Sequence, residues 1–356
     1  MKDTISNWHN FFQNYSRFIP VGALIFGFIF DLFTLGRPDS LYTNTILLIY
    51  LIVSAVCITI LATARRKGKE HSIPVIALMQ FSFGNLAGSL LVLYGMSGTF
   101  AGSAIFFGII SLFLVGNEFI RERYSQVLFH LLAWYFLSLL YFVFALPVFL
   151  AQIGSLVFLE SVLLSGIVFG LFIFLLLSIS RESLHVGLKT VGGGAATVAL
   201  IFSGLYFGNF IPPVPLSLQK IGIYHSISRV GGGYRVEFEA PRWYEYPKST
   251  SRKFHVASGG IAICFSSVFA TDNLKTPLWH LWEKYDEGEK KWKLMSTYSF
   301  PISGGRDEGF RWYSQKSSVT PGDWRCSVET ESGALIGRTK FEVVSGGEVV
   351  LKEGTL

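Results

Sequence analysis

The chain has 356 residues, 51% hydrophobic, 16% aromatic and only 15% charged, where soluble domains carry about 25% charged residues. Its net charge of +6 is spread evenly, with 11 Lys and Arg against 8 Asp and Glu before residue 211 and 19 against 16 after it. Neither part concentrates the basic face that nucleic acid requires, so no nucleic-acid partner is expected, and the thinning of charge in the first part predicts a membrane domain followed by a soluble one.

Residues 1–17 are polar and aromatic, and the apolar run behind them has no small-residue cleavage site, so they are not expected to be a cleaved signal. Trp8, Phe11, Phe12 and Tyr15 recur at helical spacing, which predicts a cytoplasmic, interfacial helix lying on the lipid; a disordered tail is the alternative. A hydrocarbon core about 30 Å thick needs about 20 apolar residues. Seven runs within 18–210 meet or approach that length: 18–35, 44–63, 74–95, 99–116, 127–150, 154–180 and 190–210. Lys2, Arg17, Arg65, Arg66, Lys67, Lys69, Arg121, Arg123, Arg181 and Lys189 all fall in loops on one side, and Arg37 alone on the other. Positive residues stay inside, so the expected topology is multi-pass, with a cytoplasmic N-terminus and everything beyond the seventh span outside.

Asp31 interrupts the first run and Glu160 the sixth. With that topology both lie in the outer half of the membrane, Asp31 only about 6 Å from Leu35 along a helix. A carboxylate there needs water, a partner or a proton. One reading is an outward-facing polar pocket for ions or ligands; the other is that Asp31 reaches the interface or pairs with Arg37 while Glu160 bonds within the bundle. No third acid continues a relay across the membrane, which weighs against proton-coupled transport. Gln80 and Asn85 are further intramembrane polar candidates, with interhelical hydrogen bonding as the plainer role, and His130 has no metal-ligand spacing around it. At the cytoplasmic end of the fourth run, Glu118, Arg121, Glu122 and Arg123 are spaced for mutual ion pairs or, through the arginines, for membrane lipid headgroups.

The Pro-rich stretch 211–220 predicts a stiff connector. Beyond it, over 221–346, the apolar period changes to two. "GYRVEFEA", "WRCSVET" and "KFEVV" alternate, and turn signals stand at 230–233, 257–260, 302–305, 320–323 and 331–333. Seven to nine strands predict an all-β, immunoglobulin-like sandwich, followed by a C-terminal tail at 347–356. Cys264 and Cys326, 62 residues apart with Trp279 between them, have the look of an immunoglobulin pin. Register weighs against the bridge: Ile261, Ile263 and Phe265 set one face, leaving Cys264 on the other with Ala262 and Ser266, so a bond would need a bulge or bend. Most of the tryptophans lie in this part. They fill cores and also make recognition platforms; Trp243, Tyr244 and Tyr246 are the best external recognition candidates.

"TPLWHLW" followed by "FRWYSQKSSVTPGDWRCSVETESGALIGRTKFEV" resembles the C-terminal module of the bacterial family known as domain of unknown function 2914 (DUF2914). His280 and Trp282 match its first motif, with Leu281 in place of an arginine. Arg311, Ser314 and Lys316 fit the second, with Tyr313 where Trp is usual. Trp324 fits the third, and Cys326 replaces an apolar residue, so any disulfide would be peculiar to this chain. "FDLFTLGR" and "GNEFIRERYS" extend the resemblance to the membrane part of the family's long members. It implies a bacterial cytoplasmic (inner) membrane protein with a periplasmic module and brings no activity with it. His280, Trp282, Arg311 and Trp312 join the recognition candidates on this ground.

The sequence has no zinc signature, no Cys-x-x-Cys, no phosphate loop and no nucleophile elbow, so no metal or cofactor is expected. The function expected is non-enzymatic: a membrane anchor whose external sandwich binds a protein or glycan, as an assembly or envelope component, an arrangement compatible with a subunit of a larger membrane complex that does not demand one. A transporter or channel using Asp31 and Glu160 is the alternative; an enzyme on lipid or envelope polymer, built from Asp31, Glu160, His280 and Arg311, ranks below it.

Overall fold

The computed structural model describes residue 29 and residues 39–66, 73–97, 103–119, 127–179, 187–245, 250–256, 260–271, 274–304, 309–347 and 349–356. They form two compact units, one helical and one of strands, dividing near Ile211 and Pro212.

The helical unit contains α1 (Leu41–Arg66), α2 (Ile73–Met96), α3 (Ala104–Phe119), α4 (Val127–Leu150), α5 (Ser155–Ile179) and α6 (Leu188–Phe207). All but α3 are long and apolar enough to cross a membrane. The expected seven spans are therefore not met among the described residues. The run 18–35 lies outside them apart from residue 29, and α3, with 16 residues, extends only about 24 Å.

Helix satisfies the backbone of such apolar segments internally, as a segment able to enter hydrocarbon requires, and their hydroxyls are satisfied the same way. Thr59, Ser82 and Ser161 each donate to the carbonyl four residues back. Helix α4 is the hub and packs against α1, α5 and α6. Its Trp134 donates an indole N–H to the Leu51 carbonyl of α1 at 2.9 Å and packs on Phe172 of α5, with ring centres 4.7 Å apart. Tyr94 of α2 donates to the Leu140 carbonyl of α4 at 3.0 Å. Close approach of helices occurs at Gly194, where a Cβ would stand 2.8 Å from Leu132. The spaced pair Gly166 and Gly170, by contrast, faces open space among the described residues.

Among the described residues the strand unit has eleven strands: β1 (Ser217–Tyr224), β2 (Ser226–Val230), β3 (Gly233–Glu239), β4 (Lys253–Val256), β5 (Ala262–Phe269), β6 (Lys275–Asp286), β7 (Lys291–Ser303), β8 (Phe310–Lys316), β9 (Gly322–Thr330), β10 (Leu335–Ser345) and β11 (Leu351–Thr355). Two sheets, β1-β5-β8 and β4-β10-β9-β6-β7, make a sandwich, and a third, β11-β3-β2, is added to it. All pairings are antiparallel except β4 with β10. The β2–β3 hairpin turns at Gly231 and Gly232, both at positive φ, as the tight hairpin turn requires.

Two boundaries differ from the sequence reading. Ser217 to Lys220, placed in the connector, already belong to β1 and pair with β5. Residues 351–355, placed in a tail, form β11 by adding to the edge of β3; their pairing comes from main-chain groups, which leave no hydrophobic signature.

Strand β5 is buried along its whole length. One face enters the core between the two main sheets, with Ala262 and Cys264 packed among Trp282, Trp324, Cys326 and Phe341. The other enters a second core under the third sheet, where Ile263 and Phe265 meet Tyr224 and Val236. The sandwich is immunoglobulin-like in its particulars: an inter-sheet disulfide, a buried tryptophan against it, and a corner residue bonded back to the chain. Trp324 is that corner residue, two positions before Cys326, and it donates its indole N–H to the Thr320 carbonyl at 2.7 Å.

Candidate functional site

Cys264 and Cys326 are joined by a disulfide, with their Cα atoms 6.6 Å apart, which corrects the register argument against the bridge. That argument took the larger apolar residues of β5 to mark the only buried face. Because β5 is covered on both sides, Ile263 and Phe265 face the third sheet while Cys264 faces β9. The tryptophan of the pin is Trp282, fully buried, and not Trp279.

Beside the disulfide lies a buried hydrogen-bond chain. Trp282 donates its indole N–H to Ser314 Oγ at 2.9 Å, and the same oxygen is hydrogen-bonded to His280 Nδ1, also 2.9 Å away. The other ring nitrogen, Nε2, is hydrogen-bonded to Ser266 Oγ at 2.7 Å. Burial pushes the His280 pKa down to about 3, so the ring is neutral at ordinary pH. A serine beside a histidine invites a catalytic reading, but Ser266 and His280 are both wholly buried and no substrate reaches them. The chain runs from β6 to β5 and β8 and ties the two sheets together, as the disulfide does.

The other motif residues are also parts of the fold. Arg311 donates to the Leu356 carbonyl at 3.3 Å. Trp312 stacks on Phe300 at 5.1 Å, with its indole nitrogen buried and lacking a hydrogen-bond partner among the described residues.

Trp243 and Tyr244 are different. They lie on a single 3-10 turn, Trp243–Glu245, and are 89% and 58% exposed. Their rings meet edge-on at 5.7 Å. The turn is braced from both sides: Glu245 accepts the backbone N–H of Arg242 at 2.8 Å and that of Arg252 at 3.0 Å, and Arg242 donates to the Tyr244 hydroxyl. At its base Glu239 is held between two histidines, His225 at 3.0 Å and His255 at 2.8 Å. Tyr246 lies outside the described residues.

Sequence reasoning missed a polar network on the outer face of the five-stranded sheet. Arg325 makes two bonds to Glu283, at 2.5 and 2.6 Å, over the ring of Trp292 at 4.4 Å. Arg338 donates to Ser327 at 2.7 Å. Burial lowers the Arg338 pKa and raises that of Glu329. The signal was present as alternating charges in β6, β9 and β10, which can be aligned only once strand pairing is known.

In the helical unit Gln80 and Asn85 are fully buried in α2. Asn85 donates to the Phe81 carbonyl at 2.8 Å, a bond within its own helix. His130 is buried in α4. Glu160 is exposed in the second turn of α5. Asp31, Arg121, Glu122 and Arg123 lie outside the described residues, as does the side chain of Glu118. A cavity of about 320 Å³ between α4 and α6, lined in part by Phe129, Leu132, Phe136, Val198, Ile201 and Leu205, is walled by hydrocarbon.

No curated protein matches the chain. Among solved structures, an immunoglobulin-like protein from Pseudomonas aeruginosa is 12% identical over 37% of this chain and 98% of that one, with a TM-score of 0.22. A β-glucosidase from Listeria innocua is 11% identical over 37% of this chain and 16% of that one, at 0.20. The alkylpurine DNA glycosylase AlkC from Pseudomonas fluorescens is 10% identical over 87% and 99%, at 0.22. Scores this low bear on neither activity nor ligand. Residues 275–343, which hold the tryptophan and histidine of β6, the serine of β8 and the second cysteine of the pin, match the family model described as protein of unknown function (DUF2914), and the chain is a DUF2914-containing protein through that segment.

Proposed function

We propose that the chain is a non-enzymatic recognition protein of the bacterial cytoplasmic membrane. The helices anchor it with the N-terminus inside, and the strand unit is presented on the periplasmic side to a protein or glycan, as a component of an envelope assembly. Five helices able to span support a membrane location, and the loop lysines and arginines give the orientation, with the run 18–35 and α3 also crossing. The recognition reading rests on one observation: Trp243, 89% exposed beside Tyr244, stands on a turn fixed at both ends. A large aromatic pair held rigid and left in water is the usual form of a binding anchor, because little conformational entropy is lost when a partner covers it.

The test is native mass spectrometry of the full chain released mildly from its own membrane, compared with the W243A/Y244A double variant. A protein or glycan that accompanies the wild type and is absent from the variant is the expected result. An unaccompanied wild-type chain, or a companion retained by the variant, overturns this use of the turn.

A further inference from the structure

The exposed turn carries a charge pattern as well as an aromatic pair. Its described charged residues are Arg242 and Glu245, and the chain returning beside it brings Arg252 and Lys253. Lys253 has an acid, Glu342, as its neighbour in the pairing of β4 with β10. Glu245 is turned onto the main chain: one carboxylate oxygen accepts the N–H of Arg242 and the other that of Arg252. One carboxylate thus gathers both arginine backbones at one place, with its own oxygens engaged. Both arginines are exposed, and among the described residues neither guanidinium lies within ion-pair distance of a carboxylate. From this arrangement we propose that the partner of Trp243 and Tyr244 is an acidic segment of another protein. Its aspartate or glutamate carboxylates seat on Arg242 and Arg252 while an apolar side chain covers Trp243. The inference rests on the recognition reading of the turn and names the chemistry of what the turn binds.

Geometry favours a protein over a glycan. A sugar chain stacks its flat faces on aromatic rings that lie level with one another. The planes of Trp243 and Tyr244 meet at 84°, and the Arg242 guanidinium lies over the Tyr244 ring, 6.0 Å from its centre. The pair is a corner and not a platform, and a corner receives side chains. Aliphatic surface continues at the same end of the third sheet. Leu351 pairs with Glu239 at the base of the turn, and Val350 before it is 88% exposed. Aromatic and apolar side chains with arginines beside them have the composition of a protein–protein contact.

The arginines are also prepared for carboxylates. Arg242 donates to the Tyr244 hydroxyl at 2.8 Å, which fixes its fork, and its remaining N–H groups can take a carboxylate in two parallel bonds. A cation already held loses less freedom on binding. Two unpaired cations beside the aromatic pair also steer an acidic surface toward it before contact.

The experiment uses the full chain in its own membrane and two double variants. Both arginines meet Glu245 through main-chain groups, so R242Q/R252Q removes charge and leaves that brace in place. It is expected to keep the wild-type unfolding midpoint and to lower capture of the protein companion by about 10-fold or more. Wild-type capture is expected to fall as salt rises from about 50 to about 500 mM. R242K/R252K keeps the charge and supplies amines, which a zero-length carbodiimide joins to carboxylates in contact with them. The expected product links position 242 or 252 to an aspartate or glutamate of a different protein. A companion lost in W243A/Y244A but retained in R242Q/R252Q leaves the recognition reading standing and overturns this inference. A link to a glycan carboxylate or to a second copy of this chain, or no link where a companion is captured, does the same. Absence of any companion overturns both. Should R242Q/R252Q shift the unfolding midpoint, the cross-link alone decides.

Discussion

The two units bury polar groups by opposite means. In the helical unit the hydroxyls of Thr59, Ser82 and Ser161 return to their own helix, while Trp134 and Tyr94 donate across to the backbone of a neighbouring helix. In the strand unit Trp282, Ser314, His280 and Ser266 complete one another only across two sheets. An apolar helix carries its backbone hydrogen bonding with it; a sandwich has to be assembled before its core is satisfied. Loss of one polar group should therefore be local in the first unit and collective in the second.

The hardest test of that contrast is removal of the pin. Closing a loop of 62 residues stabilises by about 4 kcal/mol on the chain-entropy estimate. C264S should lower the denaturant midpoint of the strand unit by that order and leave the helical unit's protection from protease unchanged; equal losses in both would erase the distinction.

The next is acidification. His280 has a folded pKa of about 3, below its unfolded value of 6.5, so the unfolded chain binds the extra proton between them. Its contribution is intact above about pH 6.5 and declines as pH falls toward 3, at up to about 1.4 kcal/mol per pH unit. Unfolding of the strand unit followed from pH 7 to 4 should show this slope, and H280Q should flatten it. An unchanged slope in H280Q would assign acid sensitivity to other groups.

A smaller effect is expected at Trp134. W134F keeps an aromatic ring but loses the bond to the Leu51 carbonyl, about 1 kcal/mol, and part of the buried indole, about 1 kcal/mol more, in a reversible unfolding measurement of the helical unit in micelles. A cost of several kcal/mol would show that the bundle, too, depends on a cross-element bond. Smallest of all is W243A, which should move stability by less than about 0.5 kcal/mol while abolishing partner capture. A large thermal shift would make the turn part of the fold.

The same contrast governs what the sequence could show. Helices α1, α2, α4, α5 and α6 were legible within a few residues because each long apolar run states its own structure. The strands were legible where one face was wet, as in β9. Strand β5 was not, because with both faces buried its alternation of large and small residues marks two cores and not an inside and an outside. The pin was missed for that reason, and β11 because one leucine among polar residues leaves no pattern. Of the recognition candidates, Trp243 and Tyr244 are exposed, whereas His280, Trp282, Arg311 and Trp312 serve the fold. Motif matching finds residues that are fixed; it does not say whether packing or binding fixes them.

The double burial of β5 also sets an order in time. The strands of the hairpin beneath it, β2 and β3, and its neighbour β1 precede it in the chain, whereas β6 to β10 all follow. Its outer face can thus be covered in part before its inner face, since β11 alone of the third sheet follows it. At about 5–20 residues per second, the 62 residues between the two cysteines take roughly 3 to 12 s to make. For that interval Cys264 has no cysteine to pair with, because the strand that carries Cys326 has yet to be made.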